Sequence, residues 1–143
     1  MIEMKKLLLL SLVAFYICVL LLVNSCDKDI EKVPLNIHVQ GLVLQTSDDG
    51  FTYSGNVPPE GTNFTIKSSK TLSKITVDRV VYLDENGLPQ PSGYWGDISI
   101  SPSGESFLSN IHIRENTSGR NRTITLKYGR ANEFCLIHLL QYQ

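Results

Sequence analysis

Thr62-Asn63-Phe64-Thr65-Ile66-Lys67 alternates polar and apolar residues, with Phe64 and Ile66 on one face. Period two marks extended backbone with one buried face, because successive side chains of a strand point to opposite sides. The same rhythm returns downstream. Ile98 and Ile100 alternate with Asp97 and Ser99; Phe107, Ile111 and Ile113 alternate with Leu108, Asn110, His112 and Arg114. Ile124, Leu126 and Tyr128 alternate with Thr123, Thr125 and Lys127. Lys74 to Leu83 sets Ile75, Val77, Val81 and Leu83 on one face, interrupted by Arg79. A bulge near Asp78-Arg79 accounts for that slip. Phe134 to Leu140 is apolar at nearly every position, as expected for a strand covered on both faces.

Turn chemistry separates these runs. Asp48-Asp49-Gly50, Pro58-Pro59-Glu60-Gly61, Glu85-Asn86-Gly87, Pro102-Ser103-Gly104 and Ser118-Gly119 all favour chain reversal. The pattern predicts an all-β domain over 35–143, an antiparallel sandwich of about seven strands. No amphipathic helix is expected within it.

The first 34 residues read differently. Met1 to Lys6 ends in two lysines, and Leu7 to Val23 is apolar apart from Ser11, Tyr16 and Cys18. This is the charged and then apolar anatomy of a secretory signal. Its 17 apolar-region residues fall just short of the roughly 20 that span a bilayer. Val23-Asn24-Ser25-Cys26 resembles the lipobox of bacterial lipoproteins, with an aliphatic residue and two small ones before the cysteine that is acylated. The resemblance implies a signal peptide over 1–25, lipidation of Cys26 and a tether over 26–34. Two or more acyl chains give stable membrane attachment. Asp27-Lys28-Asp29 and Glu31 follow at once, resembling the acidic surface-export stretch of Bacteroidetes lipoproteins. A solvated tether is the plainer reading.

Removing residues 1–25 leaves 118 residues with 11 basic and 13 acidic side chains. No run of Lys and Arg marks a nucleic-acid surface, and none is expected as a partner. With Cys18 gone and Cys26 acylated, Cys135 has no disulfide partner and reads as a small buried hydrophobe.

Further motifs run through the second half of the chain. Phe64-Thr65-Ile66 is followed by Trp95, then by Ile98-Ser99-Ile100-Ser101-Pro102-Ser103-Gly104. Asn116-Thr117-Ser118-Gly119-Arg120 precedes Thr123-Ile124-Thr125-Leu126, and the last strand ends Leu140-Gln141. In order and spacing these resemble the BACON domain, a module of Bacteroidetes cell-surface proteins, over about Phe51 to Gln143. The resemblance implies an Ig-like sandwich outside the cytoplasm. It implies carbohydrate binding only weakly, since such modules also look like spacers.

Catalytic chemistry is not expected. His38, His112 and His138 show no metal-ligand spacing with one another. Asp84-Glu85-Asn86-Gly87 lacks the spacing of a calcium loop and reads as a hairpin turn. The acids lie mostly in turns or the tether, and the serines lack a nucleophile elbow. No metal or cofactor is implied. Asn116 reads as a turn residue.

The aromatics offer the candidate binding site. Tyr94 and Trp95 are adjacent, so a strand points them to opposite faces. Strict alternation puts Tyr94 with Ile98 and Ile100 and exposes Trp95 beside Asp97 and Ser99, a stacking platform for sugar with hydrogen-bonding neighbours. A bulge at Gly96 would instead return Trp95 to the core, the usual place for a lone tryptophan in a sandwich. The expected protein is a non-catalytic outer-membrane lipoprotein that binds glycan through Trp95, Tyr94 and Asp97 or the 84–93 loop. The alternative is an accessory lipoprotein that contacts another envelope protein and has no sugar site.

Overall fold

The computed structural model describes residues 2–23, 30–68, 74–84, 86–103 and 106–143. Cys26, the expected lipid site, lies outside the described residues, as does Glu85 of the 84–93 loop. The chain divides into two compact units, one ending at Glu31 and the other spanning Lys32–Gln143. The first holds a single helix, α1 (Ile2–Val23). Among the described residues no helix is long and apolar enough to cross a membrane.

The second unit is built from strands. In chain order they are β1 (Val33–Pro34), β2 (Ile37–Gln40), β3 (Gln45–Thr46), β4 (Thr52–Val57), β5 (Thr62–Ser68) and β6 (Ile75–Val77). Then come β7 (Val80–Leu83), β8 (Ser92–Gly93), β9 (Gly96–Ser103), β10 (Ser106–Ile113), β11 (Arg122–Gly129) and β12 (Glu133–Gln141). One sheet runs β3-β4-β12-β11-β6-β7, with β1 also beside β12; the other runs β2-β5-β10-β9-β8. The protein is an all-β sandwich.

Its core is the alternation seen in the sequence. Phe64 and Ile66 from β5, Ile98 from β9 and Ile111 and Ile113 from β10 meet Ile124, Leu126 and Tyr128 from β11 and Ile137 and Leu139 from β12 in one buried cluster. Each isoleucine, leucine or phenylalanine of that cluster contributes roughly 1.5–3 kcal/mol by leaving water. Cys135 is fully buried among them, and burial pushes its thiol up to about 12. A raised thiol pKa disfavours the thiolate, the reactive form.

Four features depart from the sequence reading. Residues 74–83 are not one bulged strand. Asp78 and Arg79 both have positive φ, 47° and 71°, and connect β6 to β7, with Val77 paired to Val80. Two successive residues at positive φ make the tight hairpin turn whose twist matches its strands, normally filled by Asn-Gly. Without those residues the break in alternation was the turn's local signal. Second, β12 pairs in parallel with both β4 and β1, so its sheet is mixed rather than antiparallel throughout. Third, Val33 and Pro34 belong to the sandwich and not to the tether, since Val33 N–H donates to Asn132 O (2.7 Å) and Leu35 N–H to Phe134 O (3.0 Å). Fourth, the outward side chains of β12 are only partly covered, and Leu140 is exposed.

One end of the sandwich is closed by buried amides. Gln141 is fully buried, and its Nε2 donates to Arg114 O (2.7 Å), Pro58 O (3.2 Å) and Pro59 O (3.3 Å). Its Oε1 accepts from Arg122 Nε (2.8 Å). Asn116 adds a second stitch, its Nδ2 donating to Arg120 O (2.7 Å) and Tyr142 O (2.9 Å) while Oδ1 accepts the Ser118 N–H (3.2 Å). The Asn116–Arg120 and closing-glutamine motifs therefore join loops to the last strand.

Gln141→Leu keeps the volume but takes one of two donors from each carbonyl, which keep Gly61 N–H, Asn116 N–H and Arg122, and leaves Arg122 Nε without its acceptor. It should cost about 1–3 kcal/mol, the range for one buried polar group left unpaired. A lower urea midpoint at unchanged slope is the expected reading; a midpoint equal to wild type would show that the clamp is dispensable.

Candidate functional site

Trp95 is not the platform. It is fully buried, 0 % exposed, with its ring edge-on to Tyr82 at a centroid distance of 5.3 Å. The cause is Gly96, whose φ of 153° breaks the alternation at the start of β9. A Cβ at Gly96 would overlap the carbonyl oxygen of His112 on the neighbouring strand. Only glycine fits there, and it turns Trp95 inward while Ile98 stays in the core. Gly93 completes the seat: a Cβ there would run into the Tyr82 hydroxyl and approach Trp95 Nε1 at 2.9 Å.

Tyr94 takes the exposed position instead, at 59 %. Its hydroxyl donates to the carboxylate of Asp78 in the β6–β7 turn. Asp78 is itself held by β11: its Oδ1 accepts the Thr125 N–H (2.9 Å) and its own N–H donates to Thr125 O (2.8 Å). The Arg122 guanidinium lies 5.7 Å from the Tyr94 ring centroid. Arg122 is in turn fixed by Gln141 and by Arg114 O (3.1 Å). A cation at this range is attracted by the ring quadrupole, about 0.5–1 kcal/mol at an exposed site. The ring is thus held at its hydroxyl and beside a cation, while more than half of the residue faces solvent.

Asp97 goes elsewhere. It points outward from β9, and its Oδ2 lies 3.0 Å from Nδ1 of His112, its cross-strand neighbour on β10. Both side chains are about half exposed, so the pair adds at most about 1 kcal/mol. It opens a shallow depression of about 350 Å³ lined by Asn63, Thr65, Ser99 and Asn110 among others. This face offers donors and acceptors, and Phe64, which also lines the depression, is buried in the core. The expected trio is therefore divided: Trp95 in the core, Tyr94 beside the hairpin turn, Asp97 on an outer sheet face.

Beside β12 the opposite sheet carries a partly apolar groove. This groove of about 880 Å³ is lined by loop residues Leu42, Val43 and Pro58 and by Leu140, together with Ser54, Asn56 and Thr123, with Val43 86 % exposed. His138, also on its wall, sits with Nδ1 3.1 Å from Thr125 Oγ1. Among the described residues no three His, Cys, Asp or Glu side chains gather to hold a metal.

Asp78 and Arg122 escaped the sequence reading. Asp78 is 16 residues from Tyr94 in the chain, and no local motif links the two. The one available signal was the slip at Asp78-Arg79.

Tyr94 carries a pH signature. Burial first, and the Asp78 hydrogen bond second, raise its phenol to about 12 from 10.0. A raised acid pKa means the folded state holds the proton more tightly, so this contribution is intact below pH 10 and is lost between 10 and about 12. In denaturation series the stability gap between wild type and Tyr94→Phe should narrow across that window. A gap that is flat with pH would contradict the assignment.

No protein-family model and no curated protein matches the chain. Among solved structures it is similar to an NMR structure of a protein from Bacteroides thetaiotaomicron, at 14 % identity and a TM-score of 0.44, covering 82 % of this chain and 93 % of that one.

Proposed function

We propose that this protein is a non-catalytic lipoprotein of the outer membrane, anchored by acylated Cys26, whose sandwich binds glycan on the ring of Tyr94. The observation that carries the reading is a solvent-facing aromatic already fixed in place. A pyranose presents a face of C–H groups, and these pack against the negative face of an aromatic ring. Holding the ring before the ligand arrives avoids the entropy of ordering it on binding, about 0.5–1.5 kcal/mol for a mobile side chain. The BACON-like order of motifs and the lipobox-like Val23-Asn24-Ser25-Cys26 support the same setting.

A second reading has its own support. An accessory lipoprotein working through protein contacts would need an apolar outer surface, and the groove beside β12 offers one. Replacing Val43 and Leu140 with lysine separates the two readings. It should abolish capture of an envelope protein on the second reading and leave glycan binding intact on the first.

Full-length protein in non-ionic detergent, titrated with a panel of bacterial and plant polysaccharides, tests the glycan reading. Tyr94→Ala should lose binding by about tenfold or more, and Tyr94→Phe by only a few-fold, because it keeps the ring but loses the Asp78 tether. Trp95 reports folding independently: its emission should be blue-shifted and insensitive to iodide with or without glycan. Trp95→Ala should lose about 3–5 kcal/mol of stability. A Tyr94→Ala variant that binds every glycan as wild type does would end the proposal. For the anchor, a clickable fatty acid should label wild type and not Cys26→Ser; equal labelling would exclude lipidation there.

A further inference from the structure

The fold gathers a cationic pocket that no stretch of the sequence contains. Lys127 points outward from β11, in register with Thr76 on β6 and Leu136 on β12. Lys74 lies just before β6, where its carbonyl accepts the Gly129 N–H (3.0 Å). Arg130 opens the β11–β12 turn, its N–H donating to Glu133 O (2.7 Å). These backbone bonds fix where the three basic residues start. All three line one cavity of about 680 Å³ together with Thr76, Val81 and Asp84.

Among the described residues of the lining, three basic groups stand against one carboxylate, Asp84, whose Oδ1 already accepts the Asn86 N–H (2.8 Å). The Lys127 ammonium rests over the Phe134 ring, 4.5 Å from its centroid. That contact orients the ammonium without cancelling its charge. Lys74 and Arg130 make no ion pair among the described residues. Three positive groups around one hollow repel one another, and an anion between them relieves that repulsion. Arg supplies a planar fork of donors, the lysines supply mobile point charges, and Thr76 supplies a hydroxyl within the same lining. That set suits a tetrahedral oxyanion rather than a neutral sugar.

We infer that Lys74, Lys127 and Arg130 form a binding site for a phosphate or sulfate group, separate from the Tyr94 platform and independent of it. The group is either free in solution or carried on an anionic lipid headgroup, and the two sources are separable by experiment.

Full-length, isotope-labelled protein in non-ionic detergent is titrated with inorganic phosphate at constant ionic strength, and amide resonances are followed by NMR. The expected result is saturable movement of the Thr76, Lys127 and Arg130 signals below about 10 mM. The response should weaken at least fivefold in Lys127→Ala/Arg130→Ala and stay as wild type in Lys67→Ala. Dispersion of the remaining spectrum verifies that the double variant is folded. In a second arm the same proteins are floated with vesicles of phosphatidylglycerol or of phosphatidylcholine. Double-variant-sensitive binding to the anionic vesicles alone, with no response to inorganic phosphate, assigns the site to a headgroup. Phosphate-dependent shifts with no vesicle preference assign it to a free oxyanion. Failure of both arms overturns the inference, as does a response that the double variant retains in full. Neither outcome bears on glycan binding by Tyr94.

Discussion

The buried side chain of Gln141 is the constraint on which this sandwich closes. A primary amide in an apolar core is costly unless every polar atom has a partner. Here the nitrogen reaches Arg114, Pro58 and Pro59 carbonyls and the oxygen reaches Arg122. Those carbonyls belong to loops that leave β4 and β10, and Arg122 begins β11. One residue of the last strand thereby ties the ends of strands from both sheets. Asn116 repeats the device one step outward, joining the loop after β10 to Tyr142. Hydrogen bonds that cross between loops have fixed directions, which hydrophobic packing lacks, so they select one arrangement of chain ends among several that bury equal area.

The same clamp reaches the candidate site. Arg122 cannot follow solvent because Gln141 and Arg114 hold its guanidinium, and the ring of Tyr94 lies beside it. Asp78 fixes the other end of the tyrosine from a turn whose residues both have positive φ. Non-glycine residues in that region cost of order 1–3 kcal/mol each. The backbone bonds between Asp78 and Thr125 help to offset that cost and place the carboxylate where the Tyr94 hydroxyl meets it. Core order and surface order are thus one network, running from Gln141 through Arg122 to Tyr94 and back through Asp78 to β11.

How much of this was legible depends on the range of the interaction. Alternation over Thr62–Lys67, Thr123–Tyr128 and Phe107–Arg114 located strands and their buried faces, because period two is a property of a few consecutive residues. The Asp78-Arg79 slip was visible, but its meaning was not. A bulge and a hairpin both disturb the alternation; the pairing of Val77 with Val80 marks the hairpin, and the register also shifts between Ile75 and Thr76. Trp95 turned on one backbone angle at Gly96. That angle follows from the approach of His112, which lies on another strand. Sequence names Gly96 as a place where alternation can break; the approach of His112 decides that it does.

The pocket of Lys74, Lys127 and Arg130 is likewise a product of long-range pairing. A chain with more acidic than basic residues, and with no basic run, gave no reason to expect an oxyanion site. Net charge is a property of the whole molecule, whereas a site answers to the few charges within about a Debye length, roughly 8–10 Å. Sheet register decides which charges those are. Pairing β11 with β6 puts Lys127 opposite Thr76 and brings the residue before β6 next to the turn after β11. Shift that register by one residue and Lys127 would face the core, while the pocket would lose its central charge. The local electrostatics of this surface are therefore set by the alternation that set the core, read on its outward side.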